Sequence, residues 1–581
     1  MTTPETPDTT GMMPRLSEEQ LDVLGELGQR RRTRVGEVLV NDGDVIHEFL
    51  VVLEGKVAVV DAYGTPAERV LAVHARGRFL GELGLVIGQP SFLTFVVVEQ
   101  GEMLAVPAHH MRQVVARDST LGDLILHAFL LRRSLLIGLG AGVRIVGSRF
   151  SPDTRRLRDF AARNRLPHRW IDLERDDHAE ALLRELGVAP GETPIVVLHG
   201  SARPRPLAEG VRGQAAGTEV HKEVLRNPSN AELARAVGVP APRTLEAVRD
   251  VVVVGSGPAG LATAVYAASE GLSTVAFDAI ATGGQAGTSS RIENYLGFPI
   301  GISGSELAER AALQAMKFGA LISVPAKATG FGQRDGYYAV RLDDGEDVFG
   351  RTVVIATGAY YRKLDVPRLA EFEGDSVYYA ATLMEAQLCR DNPVAVVGGG
   401  NSAGQAALFL ARYASRVRLL VRGGDLGKDM SRYLTDQVER TPRVEIMLHT
   451  EVRELLGDRA LEALVVEDNR TGLRRTIDAR ALFVFIGANP CTDWLGDEVA
   501  LDQDGFVQTG PEATPAGDPA DAGWQPFVLE TSRRGVFAAG DVRSGSIKRV
   551  ASAVGEGAMA VHLVHERIGT AAPGGGLAAP V

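Results

Sequence analysis

Residues 251–279 read VVVVGSGPAGLATAVYAASEGLSTVAFDA, and this stretch sets the class of fold. Four valines predict a buried strand, a glycine-rich turn follows, and an alanine-rich helix leads to a second apolar strand that ends at Asp278. The spacing of Gly255, Gly257 and Gly260 permits a tight turn and lets a pyrophosphate approach the helix N-terminus. An acid 18 residues after Gly260 is placed to bind a ribose. The context therefore predicts a dinucleotide-binding βαβ unit rather than a structural glycine turn.

A second unit of the same kind, VAVVGGGNSAGQAALFLARYASRVRLLVRGG, occupies residues 394–424. Its turn repeats the glycine spacing, with Ala403 at the third position. Counting 18 residues from Ala403 leads to Val421 instead of an acid, and Arg422 follows. Because a ribose 2′-hydroxyl favours a carboxylate and a 2′-phosphate favours a cation, the repeat predicts a second dinucleotide and favours NADP(H) over NAD(H).

Four further motifs accompany the two βαβ units. They are GGQAGTSSRIENYLGFP at 283–299, VVIATGA at 353–359, FVFIGANP at 483–490 and GVFAAGDV at 535–542. Together with the two glycine turns they closely resemble thioredoxin reductases of the low-molecular-weight type. The resemblance implies two Rossmann-like three-layer α/β domains: an FAD domain from residues 247–362 and 492–568, and an NAD(P)H domain at 363–491 inserted in it.

The same resemblance assigns candidate cofactor-binding residues. For FAD they are Gly255, Gly257, Pro258, Ala259, Gly260, Asp278, Gly284, Gln285, Asn294, Gly358, Gly540, Asp541, Arg549, Val550 and Ala551. For NADPH they are Gly398, Gly400, Asn401, Ser402, Ala403, Arg422, Lys428 and Arg432. Lys428 and Arg432 are equally well explained as solvated charges, because lysine and arginine are commonly exposed.

Four of the FAD residues carry specific expectations. By resemblance, Gln285 and Asn294 lie near the isoalloxazine ring, and Asp541 holds the ribitol. Arg549 stands before a segment of helical period. A cation beside a helix N-terminus would stabilise negative charge on the reduced flavin. The alternative for Arg549 is pairing with a surface carboxylate.

The stretch VYYAATLMEAQLC at 377–389 lacks the redox dithiol of that family. Against the family motif Y-C-A-x-C, Ala380 and Leu383 stand where the two sulfurs are expected. A methyl and an isobutyl group cannot act as thiolates, so no thiol relay is expected. Cys389 is predicted to be a buried free thiol, and Cys491 is too far along the chain to be its obvious partner.

Residues 15–140 contain short apolar strands such as FLVVLEGKVAVV and FVVVEQGEMLAV between helical segments, which predicts a β-barrel or jelly roll with helices. The region resembles the cyclic-nucleotide-binding domain family. In that family a Gly-Glu pair binds the ribose and an arginine binds the cyclic phosphate. Gly81 and Glu82 match, but the arginine position is Ser91. A serine does not replace the guanidinium charge, so loss of cyclic-nucleotide binding is favoured over retention. Glu82 is then either a remnant of that site or a turn carboxylate.

Residues 143–225 alternate predicted strands and helices, which indicates an α/β layer with βαβ connections. They resemble glutaredoxin and thioredoxin domains, with Pro194 at the position of the family's cis-proline. The redox motif C-P-x-C reads SPDT from Ser151. Because serine cannot supply a thiolate, the resemblance implies a structural adaptor in which Ser151 or Asp153 caps the helix.

Composition narrows the remaining possibilities. The 62 basic and 73 acidic residues sum to a net charge of −11 without a basic block, so nucleic acid is not a predicted partner. The twelve histidines show no metal-binding spacing and the two cysteines lie far apart, so no metal site is predicted. Two cysteines exclude a disulfide framework and favour the cytoplasm. No signal sequence or membrane-spanning run is apparent. The Gly, Pro, Ala and Thr content predicts disordered tails at 1–14 and 569–581.

Two main functional hypotheses follow from these features. The first is an FAD-dependent NADPH:acceptor oxidoreductase, with electrons passing from NADPH to FAD and directly to a quinone, a small molecule, a redox protein or oxygen. The second is a non-enzymatic or weakly active flavin-based sensor that uses the N-terminal barrel. A thioredoxin-disulfide reductase is implied by the family label, but the residues at 380 and 383 argue against it. The resembled family also implies a homodimer.

Overall fold

The computed structural model describes residues 4–65, 68–87, 89–140, 142–176, 178–203, 219–238, 247–289, 292, 295–373, 376–379, 381, 385–386, 389–458, 460–514 and 524–570. The described residues fall into two compact units. The first unit lies within Met1–Gly284, Ala308–Ile355 and Gly557–Val581, and the second lies within Gln285–Leu307 and Ala356–Glu556. No described helix combines the length and the apolar character needed to cross a lipid bilayer.

The first unit begins with a β-rich domain, as the alternating apolar runs predicted. Its strands are β1 (Gln29–Thr33), β2 (Val38–Val40), β3 (Glu48–Asp61), β4 (Arg69–His74), β5 (Phe79–Leu80) and β6 (Thr94–Pro107). Its helices are α1 (Glu18–Leu27), α2 (Glu82–Ile87), α3 (Ala108–Arg117) and α4 (Ser119–Leu139). The strands pair antiparallel in the order β1-β6-β3-β4, with β2 on β6 and β5 on β3. One apolar core under this sheet includes Phe49, Phe79 and residues of α4.

The N-terminal segment contributes to this domain. Thr6 donates its backbone N–H to the carbonyl of Val73 at 3.1 Å, and its hydroxyl accepts from the N–H of Val73 at 2.8 Å. Glu5 pairs with the buried guanidinium of Arg78 at 2.8 Å, and Met13 is buried. The prediction of a disordered segment is therefore wrong for residues 4–14, because these contacts hold the segment along β4.

A four-stranded sheet with helices follows in the same unit. It contains β7 (Val143–Gly147), α5 (Pro152–Arg163), β8 (His168–Asp172), α6 (Ala179–Glu185), β9 (Ile195–Arg203), β10 (Glu219–Arg226) and α7 (Asn230–Ala236). The order is β10-β9-β7-β8, with β7 parallel to β8 and β9 antiparallel to both of its neighbours. The Thr193–Pro194 peptide is cis, and Ser151 caps α5 by accepting from the Thr154 N–H at 3.3 Å, as predicted. Helix α7 lies beyond the predicted boundary at 225, yet it packs in the same core.

The remainder of the first unit is a Rossmann-like layer. Its elements are β11 (Arg249–Val254), α8 (Pro258–Ser269), β12 (Thr274–Phe277), α9 (Gly304–Lys317), β13 (Leu321–Ser323), β14 (Ala328–Arg334), β15 (Tyr337–Leu342) and β16 (Asp347–Ile355). The strand path is β13-β12-β11-β16-β15-β14. Its first four strands are parallel, and β14 and β15 extend the path antiparallel. The two strands that flank α8 in sequence, β11 and β12, are parallel neighbours, as predicted.

The second unit contains the other dinucleotide fold. Its strands are β17 (Ala359–Tyr361), β18 (Val377–Tyr378), β19 (Pro393–Val397), β20 (Arg416–Leu420), β21 (Val444–Met447), β22 (Thr450–Leu456), β23 (Ala463–Asp468), β24 (Arg474–Asp478), β25 (Ala481–Val484), β26 (Ala488–Pro490) and β27 (Val536–Ala538). Its helices are α10 (Leu369–Phe372), α11 (Asn401–Leu410) and α12 (Arg432–Arg440), and α13 (Val550–Thr570) begins here. A parallel sheet runs β18-β25-β19-β20-β21, which places β19, α11 and β20 as the predicted βαβ repeat.

Candidate active site

The first glycine loop joins the end of β11 to the start of α8. Gly255 has a φ of 106°, which side chains rarely adopt. A Cβ on Gly260 would lie 1.8 Å from the carbonyl oxygen of Gly255, so glycine is required where α8 packs against the strand. A Cβ on Gly257 would meet only the Cα of Gly284 at 3.9 Å among the described residues. The loop therefore leaves space beside Gly257, at the uncapped N-terminus of α8, where a phosphate can accept backbone hydrogen bonds.

Asp278 lies directly after β12 and holds this loop in place. Its Oδ2 accepts a hydrogen bond from the Ser256 N–H at 2.9 Å, and its Oδ1 accepts from Ile280 at 3.0 Å and Ala281 at 3.2 Å. Burial raises the pKa of the Asp278 carboxyl, and these amide donors oppose that rise. The Oγ of Ser256 is buried and has no hydrogen-bond partner among the described residues. An orphaned hydroxyl beside an open glycine loop fits a polar ligand such as a dinucleotide.

Two residues from the preceding α/β domain, neither of them predicted from the sequence, donate hydrogen bonds to the segment that follows Asp278. Arg163 at the end of α5 donates through Nη2 to the carbonyl of Gly284 at 3.3 Å. Asn164 donates through Nδ2 to the carbonyl of Ile280 at 3.1 Å. The positive charge of Arg163 also acts to lower the pKa of Asp278. These contacts join residues more than a hundred positions apart, so no local pattern could have indicated them.

In the second unit, Gln285 and Gly358 lie near β17 and β26. The amide of Gln285 donates to the carbonyl of Ala359. Gly358 has a φ of 68° with open space at its Cβ position, and its carbonyl accepts from the Cys491 N–H at 3.0 Å. Asn294, the other residue expected near the isoalloxazine ring, lies outside the described residues, so its role remains a prediction.

Asp541 lies in a loop that is fixed by Glu556 of α13. The Glu556 carboxylate accepts from the Gly540 N–H at 2.7 Å and pairs with Arg543 at 2.6 Å. Burial raises the pKa of the Asp541 carboxyl, while the charge of Lys548 lowers it. Glu556 could not be recognised from the sequence, because it belongs to no motif and its carboxylate acts on a loop sixteen residues earlier in the chain.

Arg549 immediately precedes α13, whose first turn begins with Val550 and Ala551. Its side chain is exposed and donates to the carbonyl of Lys548 at 3.0 Å, and within the described parts of the chain it forms no ion pair. Burial and the charge of Asp541 raise the pKa of the Tyr361 hydroxyl, and Arg549 lowers it. The charges of Asp541 and Arg549 therefore both act on the Tyr361 hydroxyl, and among the described residues Arg549 has no surface carboxylate as a partner.

The second glycine loop joins β19 to α11. Gly398 has a φ of 145°, and a Cβ there would lie 2.3 Å from the carbonyl oxygen of Phe485. Gly400 begins α11 without a side-chain cap, which leaves the amides of Ser402 and its neighbours in the first turn available to an anion. The Oδ1 of Asn401 accepts from the Ser431 N–H at 2.8 Å and so ties this loop to the start of α12.

Three cations, Arg422, Lys428 and Arg432, follow β20 in the sequence, and only Arg422 lies near the strand end, two residues after Leu420, where the first fold has Asp278 directly after β12. Val421 is buried, whereas Arg422, Lys428 and Arg432 are exposed. Within the described residues, the side chains of these three cations form no hydrogen bond or ion pair. An exposed cation such as Arg422, just past the carboxyl end of this strand, fits a ribose 2′-phosphate better than a bare 2′-hydroxyl.

The two cysteines are both free thiols. Cys389 is 3% exposed, and burial, followed by the charge of Glu385, raises the pKa of its thiol to about 11. The prediction of a buried free thiol is therefore confirmed for Cys389, while Cys491 is half-buried. Ala380 and Leu383 lie outside the described residues. Before them, the Tyr379 hydroxyl donates to Glu373 at 2.5 Å.

Comparison with known proteins supports the two nucleotide folds and the N-terminal domain. The model of the pyridine nucleotide-disulphide oxidoreductase family matches residues 249–557, and that of the cyclic nucleotide-binding domain matches residues 30–118. A thioredoxin reductase of Treponema pallidum is 33% identical over 326 residues, which are 56% of this chain and 99% of the relative.

Two further proteins match over a similar length. A 34.2 kDa protein in the rubredoxin operon of Clostridium pasteurianum is 30% identical and covers 55% of this chain and 97% of its own. The solved thioredoxin reductase of Streptococcus pyogenes is 30% identical, covers 56% of this chain and 99% of its own, and has a TM-score of 0.44.

Proposed function

Because the chain belongs to the pyridine nucleotide-disulphide oxidoreductase family, we propose that it is an FAD-dependent NADPH:acceptor oxidoreductase that works without an active-site dithiol. Its acceptor would be a quinone, another small molecule, a redox protein or oxygen. Thioredoxin-reductase-like proteins are often homodimers, and we expect the same here, which sedimentation analysis would test.

One observation supports the absence of a dithiol more than any other. The sequence has only two cysteines, at positions 389 and 491, so no C-x-x-C motif exists anywhere in the chain. Burial keeps Cys389 protonated at neutral pH, because its thiol pKa is raised to about 11. A thiol that is buried, protonated and without a neighbouring cysteine in the sequence is a poor nucleophile for disulfide exchange.

The residues of the first glycine loop and of the Asp541 loop are proposed to hold FAD. When bound, FAD and NADPH supply the redox chemistry themselves, and the protein supplies orientation and electrostatics. The N-terminal amides of α8 would bind the pyrophosphate, and Asp278 would accept a hydrogen bond from a ribose hydroxyl. Arg549 would place a positive charge beside the start of α13, where it favours negative charge on a bound ligand.

The residues around the second glycine loop are proposed to hold NADPH. The uncapped amides of α11 would bind the pyrophosphate, and Arg422 would bind the 2′-phosphate. A pure binding module has no need for a second, intact dinucleotide site with a cation in this position. This is the reason for preferring an enzyme over a flavin-based sensor.

Anaerobic addition of NADPH to the FAD-loaded protein tests the proposal. We expect the flavin absorbance to bleach within seconds and to recover on addition of an acceptor such as a quinone or oxygen. A flavin that stays oxidised for many minutes in excess NADPH would contradict the enzyme and favour the sensor.

A disulfide assay separates the proposed reaction from that of a thioredoxin reductase. NADPH-dependent reduction of DTNB in the presence of thioredoxin should stay at the level measured without the protein. The double variant Cys389→Ser with Cys491→Ser should keep the wild-type rate with a quinone acceptor, since neither thiol takes part. Loss of quinone reduction in that variant would show that a thiol carries electrons.

A further inference from the structure

A cavity lies inside the N-terminal β-rich domain, between the sheet, α2 and α4. Its wall is mainly apolar and includes Ile46, Val59, Leu71, Ala72, Leu80 and Leu136. It leaves about 70 Å³ for the centres of water molecules. A single water needs about 10–15 Å³ by this measure, so the cavity has room for several atoms of a small ligand.

The carboxylate of Glu82 at this cavity is already bound within the protein. The Nη1 of Arg132, on α4, lies 2.8 Å from the Glu82 Oε2, and the two side chains are 9% and 2% exposed. Arg132 also donates to the carbonyl oxygens of Met12 at 2.9 Å and Phe79 at 3.1 Å. Glu82 is thus part of a buried ion pair, and Arg132 occupies the carboxylate that would otherwise bind the ribose of a nucleotide.

Two buried polar atoms in the cavity wall have no hydrogen-bond partner among the described residues. They are the Nη2 of Arg132 and the Nδ1 of His74, and both residues line the cavity. Arg132 is 7% exposed and His74 is 2% exposed, so solvent does not satisfy them. Burial, followed by the charges of Arg132 and Arg78, lowers the pKa of His74 well below its usual value, so its ring is neutral at pH 7. Unpartnered buried polar atoms are uncommon in native proteins and favour a ligand at this site.

Both cations in the cavity wall are already paired with carboxylates. Arg132 pairs with Glu82 at 2.8 Å, and Arg133 pairs at 3.0 Å with Glu309, which it shares with Arg165. Ser91, which stands where a phosphate-binding arginine would be needed, donates its hydroxyl to the carbonyl of Leu93 at 2.7 Å. An anion that entered this cavity would therefore have to compete with Glu82 or Glu309 for a guanidinium group that is already paired, which is unfavourable.

From these contacts we propose that the cavity binds an uncharged, mainly apolar small molecule with a hydrogen-bond acceptor, such as an aromatic ketone, in place of a cyclic nucleotide. The acceptor oxygen takes the free N–H of the Arg132 Nη2, and the ring contacts the apolar wall. The site is separate from both dinucleotide loops, so the inference does not depend on the proposed redox function.

Calorimetric titration of the full-length, FAD-loaded protein with acetophenone tests this ligand class. Acetophenone should bind saturably. Benzoate, which has a similar ring with a negative charge, and cyclic AMP and cyclic GMP should bind about tenfold more weakly or not at all, because their anionic groups have to compete with Glu82 and Glu309 for paired guanidinium groups. Absence of acetophenone binding up to its solubility limit would overturn the proposal, as would benzoate or a cyclic nucleotide binding as tightly.

A matched pair of variants on β4 locates the binding. Leu71 is half-buried and lines the cavity, so Leu71→Trp should abolish acetophenone binding by filling the space. Its neighbour Val70 is 53% exposed and is not part of the wall, so Val70→Trp should leave binding unchanged. Flavin content and melting temperature check that both variants fold. Equal binding by the two variants would place acetophenone elsewhere and overturn the assignment.

If Leu71→Trp does not fold, infrared spectroscopy of the wild-type protein tests the contact between acetophenone and Arg132. The infrared carbonyl band of bound, ¹³C-labelled acetophenone should shift to lower wavenumber than in an apolar solvent, since a guanidinium donates a strong hydrogen bond to it. A band at the position found in an apolar solvent would contradict the contact with Arg132.

Discussion

Arg422 lies two residues after β20 ends, behind the buried Val421. In the first fold, Asp278 lies directly after the corresponding strand, β12. The two predicted dinucleotide sites therefore differ at this position: the first has the acid Asp278, and the second has the exposed cation Arg422. The sequence predicted both positions, because the offset from the glycine turn to the end of the second strand is fixed by one helix and one strand.

Replacing Arg422 should change the choice of nicotinamide cofactor. We expect Arg422→Ala to raise the KM for NADPH about ten- to a hundredfold, because a charged hydrogen bond to a phosphate contributes about 1.5–3 kcal/mol. The KM for NADH should stay nearly constant. Steady-state kinetics with both cofactors measure the change.

Arg412 offers a matched control in the same unit. It is exposed and lies just after the carboxyl end of α11, away from the glycine loop at the other end of that helix. Arg412→Ala should leave both KM values unchanged. If Arg422→Ala also leaves the NADPH value unchanged, Arg422 does not bind the 2′-phosphate.

The two cysteines should differ in reactivity towards iodoacetamide. With a thiol pKa of about 11, only about one Cys389 in a thousand is a thiolate at pH 8, and the side chain is also buried. We expect Cys491, which is half-buried, to be alkylated at least about tenfold faster in the native protein. Mass spectrometry of timed samples measures both rates, and labelling in urea should make them equal. Rapid alkylation of native Cys389 at pH 8 would contradict the structure.

Helix α4 connects the N-terminal domain to the Rossmann-like layer of the first unit. Its Arg133 pairs with Glu309 of α9 at 3.0 Å, and Arg165, which follows α5, pairs with the same carboxylate at 2.9 Å. The side chains of this triad are 8%, 9% and 16% exposed for Arg133, Glu309 and Arg165 respectively. One carboxylate thus joins three elements from three parts of the sequence.

Removing that carboxylate should weaken the junction strongly. We expect Glu309→Ala to destabilise the first unit by about 3–5 kcal/mol, because two guanidinium groups would remain buried without their partner. Differential scanning calorimetry of the FAD-loaded protein measures the effect.

The pair Lys317–Asp123 joins the same two helices on the surface and provides the control. Asp123 is 74% exposed, so Asp123→Ala should cost less than about 1 kcal/mol. Similar melting temperatures for Glu309→Ala and Asp123→Ala would show that the buried triad adds no more than an exposed pair.

The elements themselves could be predicted from the sequence more easily than these junctions. Periodicity and glycine spacing predicted β11, α8 and β12, because the signal lies within about thirty consecutive residues. The pairing of Arg132 with Glu82 joins residues fifty positions apart and depends on how α4 packs against α2. Arginine on an apolar helix such as α4 reads locally as an exposed charge, so the sequence could not indicate that both Arg132 and Arg133 are buried.

In the molecule as a whole, the α/β domain at 143–238 contacts the loops proposed to bind FAD. Arg163 and Asn164 donate to the carbonyl groups of Gly284 and Ile280. The sequence predicted an adaptor from the missing cysteines, but it gave no information on what the adaptor touches. These residues are distant in the sequence, and only folding brings them into contact.

Binding of FAD should therefore change amide hydrogen exchange in the α/β domain. Amide hydrogen exchange of the end of α5 and of residues 164–166 should be slower in the FAD-loaded protein than after FAD removal, because an ordered loop holds Arg163 and Asn164 in place. Exchange in α7, which packs in the core of the same domain, should not change and serves as the internal control. Identical exchange at the end of α5 in both forms would show that the contact does not respond to the cofactor.

The N-terminal segment has a consequence for self-association. Strand β4 ends the path of the first sheet, and an uncovered terminal strand offers its free amides and carbonyls to another chain. Thr6 occupies the Val73 N–H and carbonyl, and Arg78 holds the Thr6 carbonyl at 2.5 Å. Thr6 thus covers the edge of β4 at Val73, and a protein shortened beyond Thr6 would leave the N–H and carbonyl of Val73 open to a neighbouring chain.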